Sequence, residues 1–220
     1  MSVAAVLVAA GSGSRLGTER PKAFVDLAGQ PLLVHAVQRL PVELVVAVVP
    51  AALVEQARAL LRVAGPQVLV VAGGASRHAS VVAGLAALPP SVQVVLVHDA
   101  ARCLLHPEAV ERLISACSGD AVGGLLALPL ADTLKQADSD GRVAATLDRG
   151  DKWTAQTPQM FRLGLLRQAL ARAGDTATDE ASAIEAIGHA PLLVHGEPDN
   201  FKLTWPADFA LAERLLRNPT

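Results

Sequence analysis

Tyrosine is absent, and aromatic residues of every kind make up only 3% of the chain. That leaves little on which the bases of a single strand could stack. An excess of positive charge is missing as well. With 19 Lys plus Arg against 21 Asp plus Glu, the formal net charge of -2 offers no basic surface to nucleic acid or to an anionic membrane. Any anion must therefore be bound locally, and neither nucleic acid nor a membrane is an expected partner. The two cysteines, Cys103 and Cys117, are too few for a disulfide framework and lack metal-ligand spacing, so both read as free thiols. No uncharged apolar run approaches the ~20 residues of a spanning helix. The apolar first ten residues have no basic stretch ahead of them, which makes a cleaved signal peptide a poor reading. The expected location is the cytoplasm.

What is present is apolar material: 51% hydrophobic residues in 220 positions, enough for one core and a single domain over 1–220. The runs Val3 to Ala9, Glu43 to Val49, Gln67 to Val71, Val92 to His98 and Ala121 to Ala127 read as strands. The first and fourth are so continuously apolar that both faces should be buried. Segments of helical spacing separate them. This alternation predicts an α/β fold, Rossmann-like, with an open, mostly parallel sheet and flanking helices. Pro31, Pro107 and Pro206 stand where helices would start, and Ser76 and Thr178 look like N-caps, with Asp179 and Glu180 as first-turn charges after Thr178. From Leu130 to Ala155 the pattern breaks into polar and apolar alternation around Asp138-Ser-Asp-Gly141, which predicts a protruding β-arm over 130–155. An arm with little core of its own is suited to packing on another subunit.

The first strand runs into Ala9 to Lys22, "AAGSGSRLGTERPK". A dinucleotide fingerprint beginning at Gly11 would need glycine where Leu16 stands, and the Gly-Lys-Ser/Thr of a Walker A loop occurs nowhere. The remaining pattern, A-A-G-x-G-x-R-L-G followed by Pro21-Lys22, resembles nucleotidyltransferases that activate sugar phosphates. Gly11 and Gly13 would let backbone N–H groups wrap a triphosphate. Arg15 and Lys22 would supply cations where charge builds during attack on the α-phosphorus. The plainer alternative is a glycine turn carrying solvated charges.

A second constellation is "VVLVHDAAR", Val94 to Arg102. Asp99 falls at the carboxyl end of a predicted central strand, where open α/β sheets form their binding crevice. A carboxylate there either binds magnesium, directly or through water, or accepts hydrogen bonds from substrate hydroxyls. Asp99 and Arg102 could equally form a simple loop ion pair. His98 reads as a packed core histidine, since no second histidine stands at metal-ligand spacing from it. "GGASRHAS" alone is a glycine turn leading into a helix capped by Ser76.

Taken in order, "AAGSGSRLG", "PK", "GGASRHASV", "VHDAAR", "ADTLK", "AQTPQMF", "TDEASAIE" and "NFKLTWPADFALAE" resemble the 2-C-methyl-D-erythritol 4-phosphate cytidylyltransferases of the non-mevalonate isoprenoid pathway, from Val3 to about Leu216. The resemblance implies a nucleotide-diphospho-sugar transferase type of fold and a homodimer with an exchanged β-arm. It also implies CTP and a sugar-alcohol phosphate as substrates, with Mg²⁺ or another divalent cation as cofactor. By the same resemblance Arg15 and Lys22 stabilise the transition state, and Arg149 and Lys202 position the attacking phosphate. The cytosine pocket maps onto Ala9, Ala10 and Gly11 and onto Gly74, Ala75 and Ser80, with Gly13 completing the nucleotide-binding set. Asp99, Arg102, Thr133, Arg149 and Thr157 lie near the sugar phosphate, with Asp99 also the candidate metal ligand. Ala75 stands where many members carry an acidic residue.

Two other functions fit parts of this pattern. A ribitol 5-phosphate cytidylyltransferase would share the catalytic loop and differ in its acceptor pocket. A nucleotide-binding regulatory protein that has lost catalysis would account for Ala75, but it would have no use for cations aimed at a developing charge.

Overall fold

The computed structural model describes residues 2–11 and 20–217. In chain order the elements are β1 (Val3–Val8), the short pair β2 (Asp26–Leu27) and β3 (Gln30–Pro31), α1 (Leu32–Gln38), β4 (Leu44–Val49), α2 (Val54–Leu61), β5 (Gln67–Ala72), α3 (Arg77–Ala86), β6 (Val94–Asp99) and α4 (Pro107–Cys117). They continue with β7 (Gly123–Pro129), β8 (Leu134–Ala137), β9 (Val143–Leu147), β10 (Trp153–Arg162), α5 (Leu163–Ala173), α6 (Glu180–Ala186), β11 (Leu192–His195) and α7 (Pro206–Arg217).

Seven of these strands form one sheet in the order β11-β7-β10-β6-β1-β4-β5. β1 pairs in parallel with β4 and β6, and β4 with β5. The two strands read as buried on both faces are so. Along β1, Ala5 and Leu7 join the core under α1, α2, α4 and α7, while Ala4 and Val6 join the core under α3, α5 and α6. A parallel strand sandwiched between helical layers has no polar face, hence its unbroken apolar run.

The sequence reading of a mostly parallel sheet holds, with one strand reversed. β10 runs antiparallel to both β6 and β7, and β11 closes the edge in parallel with β7. Residues 153–155, expected in the arm, instead extend β10 alongside 127–129 of β7. The rest of the arm segment forms the two-stranded β8-β9 sheet. At its tip the Asp138 carboxylate accepts from the N–H groups of Asp140 and Arg142, and Gly141 takes a left-handed φ. Val143, 65% exposed, and Leu147 point away from any core.

Pro107 and Pro206 open α4 and α7, and Pro31 occupies the N-cap of α1. Ser76 caps α3 by accepting from the Ala79 N–H at 3.0 Å. Thr178 does not cap α6. Asp179 does, one residue later, in a reciprocal capping box with Ser182. A carboxylate is the stronger acceptor for the orphan N–H groups of a helix start, and its charge suits the positive end of the helix.

Gly123 at the start of β7 has a φ of +122°, and a Cβ there would stand 2.0 Å from the carbonyl oxygen of Met160 on β10. Both backbones are held in the sheet, so neither can retreat. Gly123→Ala is expected to cost on the order of 3 kcal/mol or more in chemical denaturation.

Candidate active site

From β1 the chain steps outward to β4 and β5, then returns past β1 to form β6. The order therefore reverses between β1 and β6, and a crevice opens beyond their carboxyl ends. Val8 is in register with Asp99 at this point, and the Ala100 N–H donates to the Val8 carbonyl at 3.0 Å.

The crevice is a cleft of about 490 Å³, within the range of small-molecule sites. Its walls bring together Ala9, Ala10 and Gly11 after β1, Gly74, Ala75 and Ser80 around the start of α3, Lys22, Asp99 and Lys202. Glycine is required where the loops meet. A Cβ on Gly73 would stand 2.4 Å from that of Ala10, and one on Gly74 would stand 2.5 Å from that of Ala79. The Ser80 hydroxyl, expected at the base edge, holds the loop closed. It accepts from the Gly74 N–H at 3.2 Å and donates to the Ser76 carbonyl at 2.9 Å, which commits its one donor.

Lys22 belongs to a short 3-10 turn whose next two residues, Ala23 and Phe24, are buried and fix its position. Its Nζ donates to the Leu203 carbonyl at 2.6 Å. The segment bearing Lys202 and Leu203 is itself held to the β6 loop, through a 2.8 Å bond from the Leu203 N–H to the Ala101 carbonyl. Three stretches distant in sequence thus converge on one end of the sheet.

Asp99 is the electrostatic centre. Its Oδ2 accepts from Lys202 Nζ at 2.7 Å, and its Oδ1 from Nε and Nη2 of Arg77, each at 3.3 Å. The loop ion pair with Arg102, the plainer alternative, is not formed. Arg102 donates instead to the carbonyls of Asn200, at 2.7 Å, and Ala155, at 3.3 Å, and its buried Nε has no hydrogen-bond partner. Burial pushes the Asp99 carboxyl upward, but Arg77 and Lys202 outweigh it and hold the group well below the usual carboxylate range. Arg77 carries no signal of its own in the sequence, since inside "GGASRHAS" only the glycines and the cap stand out. It also forms a bidentate pair with Glu180, which the sequence offers only as a helix-start charge and which is 1% exposed.

Thr157 lies beneath the cleft, buried against the end of β6. Its Oγ1 accepts from the Asp99 N–H at 3.1 Å and stands 2.9 Å from His98 Nδ1. The Arg102 carbonyl, 3.2 Å from Nε2, can only accept, so Nε2 carries a proton, and in the neutral ring that burial favours Nδ1 accepts from the Thr157 hydroxyl. His98 is thus a neutral core histidine, as its sequence context suggested. Burial lowers its pKa from 6.5 to about 4. The unfolded chain takes up this proton first as pH falls. The stabilising contribution is therefore complete above pH 6.5 and is lost between 6.5 and 4, by about 3 kcal/mol. Denaturation titrated over that window should show the slope in the parent chain and lose it in His98→Gln. The loss due to Asp99 begins only below its ordinary value of 3.8.

Thr133 and Arg149 are exposed at either end of the β8-β9 hairpin and do not line the cleft. Gly13 and Arg15 lie outside the described residues. Burial pushes both cysteine thiols up, Cys103 to about 12 and Cys117 to about 11, so neither offers a thiolate.

Among the described residues no group of three or more His, Cys, Asp or Glu could hold a metal ion. Of the described residues that line the cleft, Asp99 is the one carboxylate. A single carboxylate suits Mg²⁺, which commonly takes one or two from the protein and the rest of its shell from substrate phosphates and water. The donor set fits on those terms.

Similarity to known proteins agrees with this geometry. The profile of the 2-C-methyl-D-erythritol 4-phosphate cytidylyltransferase family matches residues 3–218. An enzyme of that name from Chromobacterium violaceum is 52% identical, with 96% of each chain covered, and one from Bordetella petrii is 52% identical over 98% of this chain and 99% of its own. A bifunctional IspD/IspF enzyme from Albidiferax ferrireducens is 51% identical over 96% of this chain, which spans 52% of that longer protein. Among solved structures, the Thermus thermophilus enzyme superposes with a TM-score of 0.79 at 31% identity, covering 99% of this chain and all of its own. A sheet that reverses between β1 and β6, a glycine-walled cleft at that reversal and end-to-end matches at this identity lead to one conclusion: the chain belongs to the 2-C-methyl-D-erythritol 4-phosphate cytidylyltransferase family.

Proposed function

We propose that the cleft beyond β1 and β6 is where this cytidylyltransferase joins CTP to 2-C-methyl-D-erythritol 4-phosphate, releasing pyrophosphate. The observation that carries the placement is the convergence of Lys22, Lys202 and Arg77 on one crevice at the sheet reversal, where Asp99 is the one carboxylate among the described lining residues. An oxygen of the methylerythritol phosphate attacks the α-phosphorus of CTP in line, and the bond from that phosphorus to the bridging oxygen of pyrophosphate breaks. A phosphate dianion is already a nucleophile, so no general base is needed.

In this reading the backbone at Gly11 and Gly13 wraps the triphosphate, and Lys22 with Arg15 stabilises charge on the equatorial oxygens. Lys202 leaves Asp99 to meet the incoming phosphate and, with Arg149, orients it. Ala9 to Gly11, Gly74, Ala75 and Ser80 form a tight wall for a pyrimidine. Asp99 would hold magnesium or another divalent cation, which when bound would neutralise phosphate charge.

Thr133 and Arg149 reach an active site across a homodimer, each hairpin crossing to the partner. The exposed Val143 and Leu147, on a two-stranded sheet too small to be stable alone, support this arrangement. Molecular mass in solution tests it: a dimer is expected, and a monomer at assay concentration would refute it. Among the described residues no helix is long and apolar enough to cross a membrane. We place the enzyme in the cytoplasm.

The decisive assay is pyrophosphate release with Mg²⁺, pairing CTP, UTP, ATP or GTP with methylerythritol 4-phosphate or ribitol 5-phosphate. Release with CTP and methylerythritol phosphate alone is expected. Release with ribitol phosphate instead would move the chain to the sibling activity, and no release would revive a binding role.

A further inference from the structure

Two carboxylates are buried among the described residues: Asp99, in the cleft wall, and Glu180, behind it. Glu180 is the first residue of α6, after the Asp179 cap, and it lies closed off from solvent. Its Oε1 accepts from Arg77 Nη1 at 2.7 Å and its Oε2 from Arg77 Nη2 at 3.0 Å. This parallel pair fixes the plane of the guanidinium. The neighbouring edge of the same group, Nε and Nη2, then falls on Oδ1 of Asp99. The result is a row of alternating charge: Glu180, Arg77, Asp99, Lys202.

A buried ion pair is poor evidence of added stability, because well-packed apolar residues usually serve as well. The row does divide the two oxygens of Asp99. Oδ1 is committed to Arg77, while Oδ2 is held by Lys202, whose side chain is 40% exposed and able to move.

We propose that Glu180 is a positioning residue for cytidylyl transfer: by clamping Arg77 onto Oδ1 of Asp99, it leaves Oδ2 as the oxygen that Lys202 releases when substrate phosphate arrives. Without the clamp Arg77 can swing across both oxygens or toward the triphosphate, and Asp99 loses its fixed orientation. The inference rests on the cleft being the transfer site, so the parent enzyme is assayed first. If the parent releases no pyrophosphate, that reading fails and this one falls with it. If the parent is active, the variants test Glu180 alone.

Glu180→Gln keeps the shape and removes the charge. Its kcat is expected to fall ~10-fold or more while the KM for CTP moves less than about threefold, the pattern of lost orientation rather than lost affinity. The paired variant Arg77→Met with Glu180→Leu removes both charges together. It is expected to melt within a few degrees of the parent and still to turn over slowly. A purely structural Glu180 would lower the melting temperature and leave kcat intact in the folded variant, which would overturn the proposal. Should Glu180→Gln fail to fold, the paired variant decides: folded with parental kcat, or unfolded as well, it refutes the positioning role.

Discussion

Lys22→Ala is expected to lower turnover by ~10²-fold or more while CTP binding changes only modestly. The ammonium group faces the cleft from a turn anchored by Ala23 and Phe24, and the Leu203 carbonyl fixes where it points. An alanine retains that turn and its buried anchors, so the fold should persist. In the proposed mechanism, what disappears is a preorganised cation that would stand beside the phosphorus at which charge accumulates. Such a group acts chiefly on the transition state, which is why kcat and not ground-state affinity should carry the loss. Steady-state kinetics together with CTP titration calorimetry separate the two. An equal loss in both would mean that Lys22 merely binds nucleotide.

Asp99→Asn should be the other severe change, because it acts on stability and turnover together. The amide keeps the shape of the carboxylate but leaves Arg77 and Lys202 facing an uncharged group, one of them across an NH₂ that donates where an acceptor is needed. Removing one partner of a buried pair costs about 3–5 kcal/mol. The lower end is expected here, since Arg77 retains Glu180 and Lys202 can turn to solvent. Denaturation at neutral pH measures this term. Turnover should fall by ~10²-fold as the cleft loses both its candidate metal ligand and the group that parks Lys202. A folded Asp99→Asn enzyme with parental turnover would remove Asp99 from the mechanism.

The helix starts show how far local rules reach. Ser76 and the three prolines were legible because a cap or a missing N–H is decided within one turn of chain. The α6 cap falls one residue beyond the expected Thr178, since Thr178 and Asp179 both suit the role and only the capping box with Ser182 selects between them. Likewise the strands β1, β4, β5, β6 and β7 followed from apolar runs. β10 did not, because its first three residues are exposed and the buried ones that follow include the polar Gln156, Thr157 and Gln159, so no continuous apolar run marks it.

The sequence by itself determined the fold class, the family, and the glycine and lysine positions that line the cleft. These rest on short-range signals: continuous apolar runs for strands buried on both faces, and small residues wherever backbone approaches backbone. Only the tertiary structure decided the charge pairing. Arg77, Asp99, Glu180 and Lys202 come from α3, β6, α6 and the segment before α7, and up to 103 residues separate the partners. Whether a helix-start carboxylate such as Glu180 only favours its helix or also anchors a hidden arginine beside the cleft depends on which elements the sheet order brings together. Electrostatic energy depends on distance and burial, and neither is a property of a residue's neighbours in sequence.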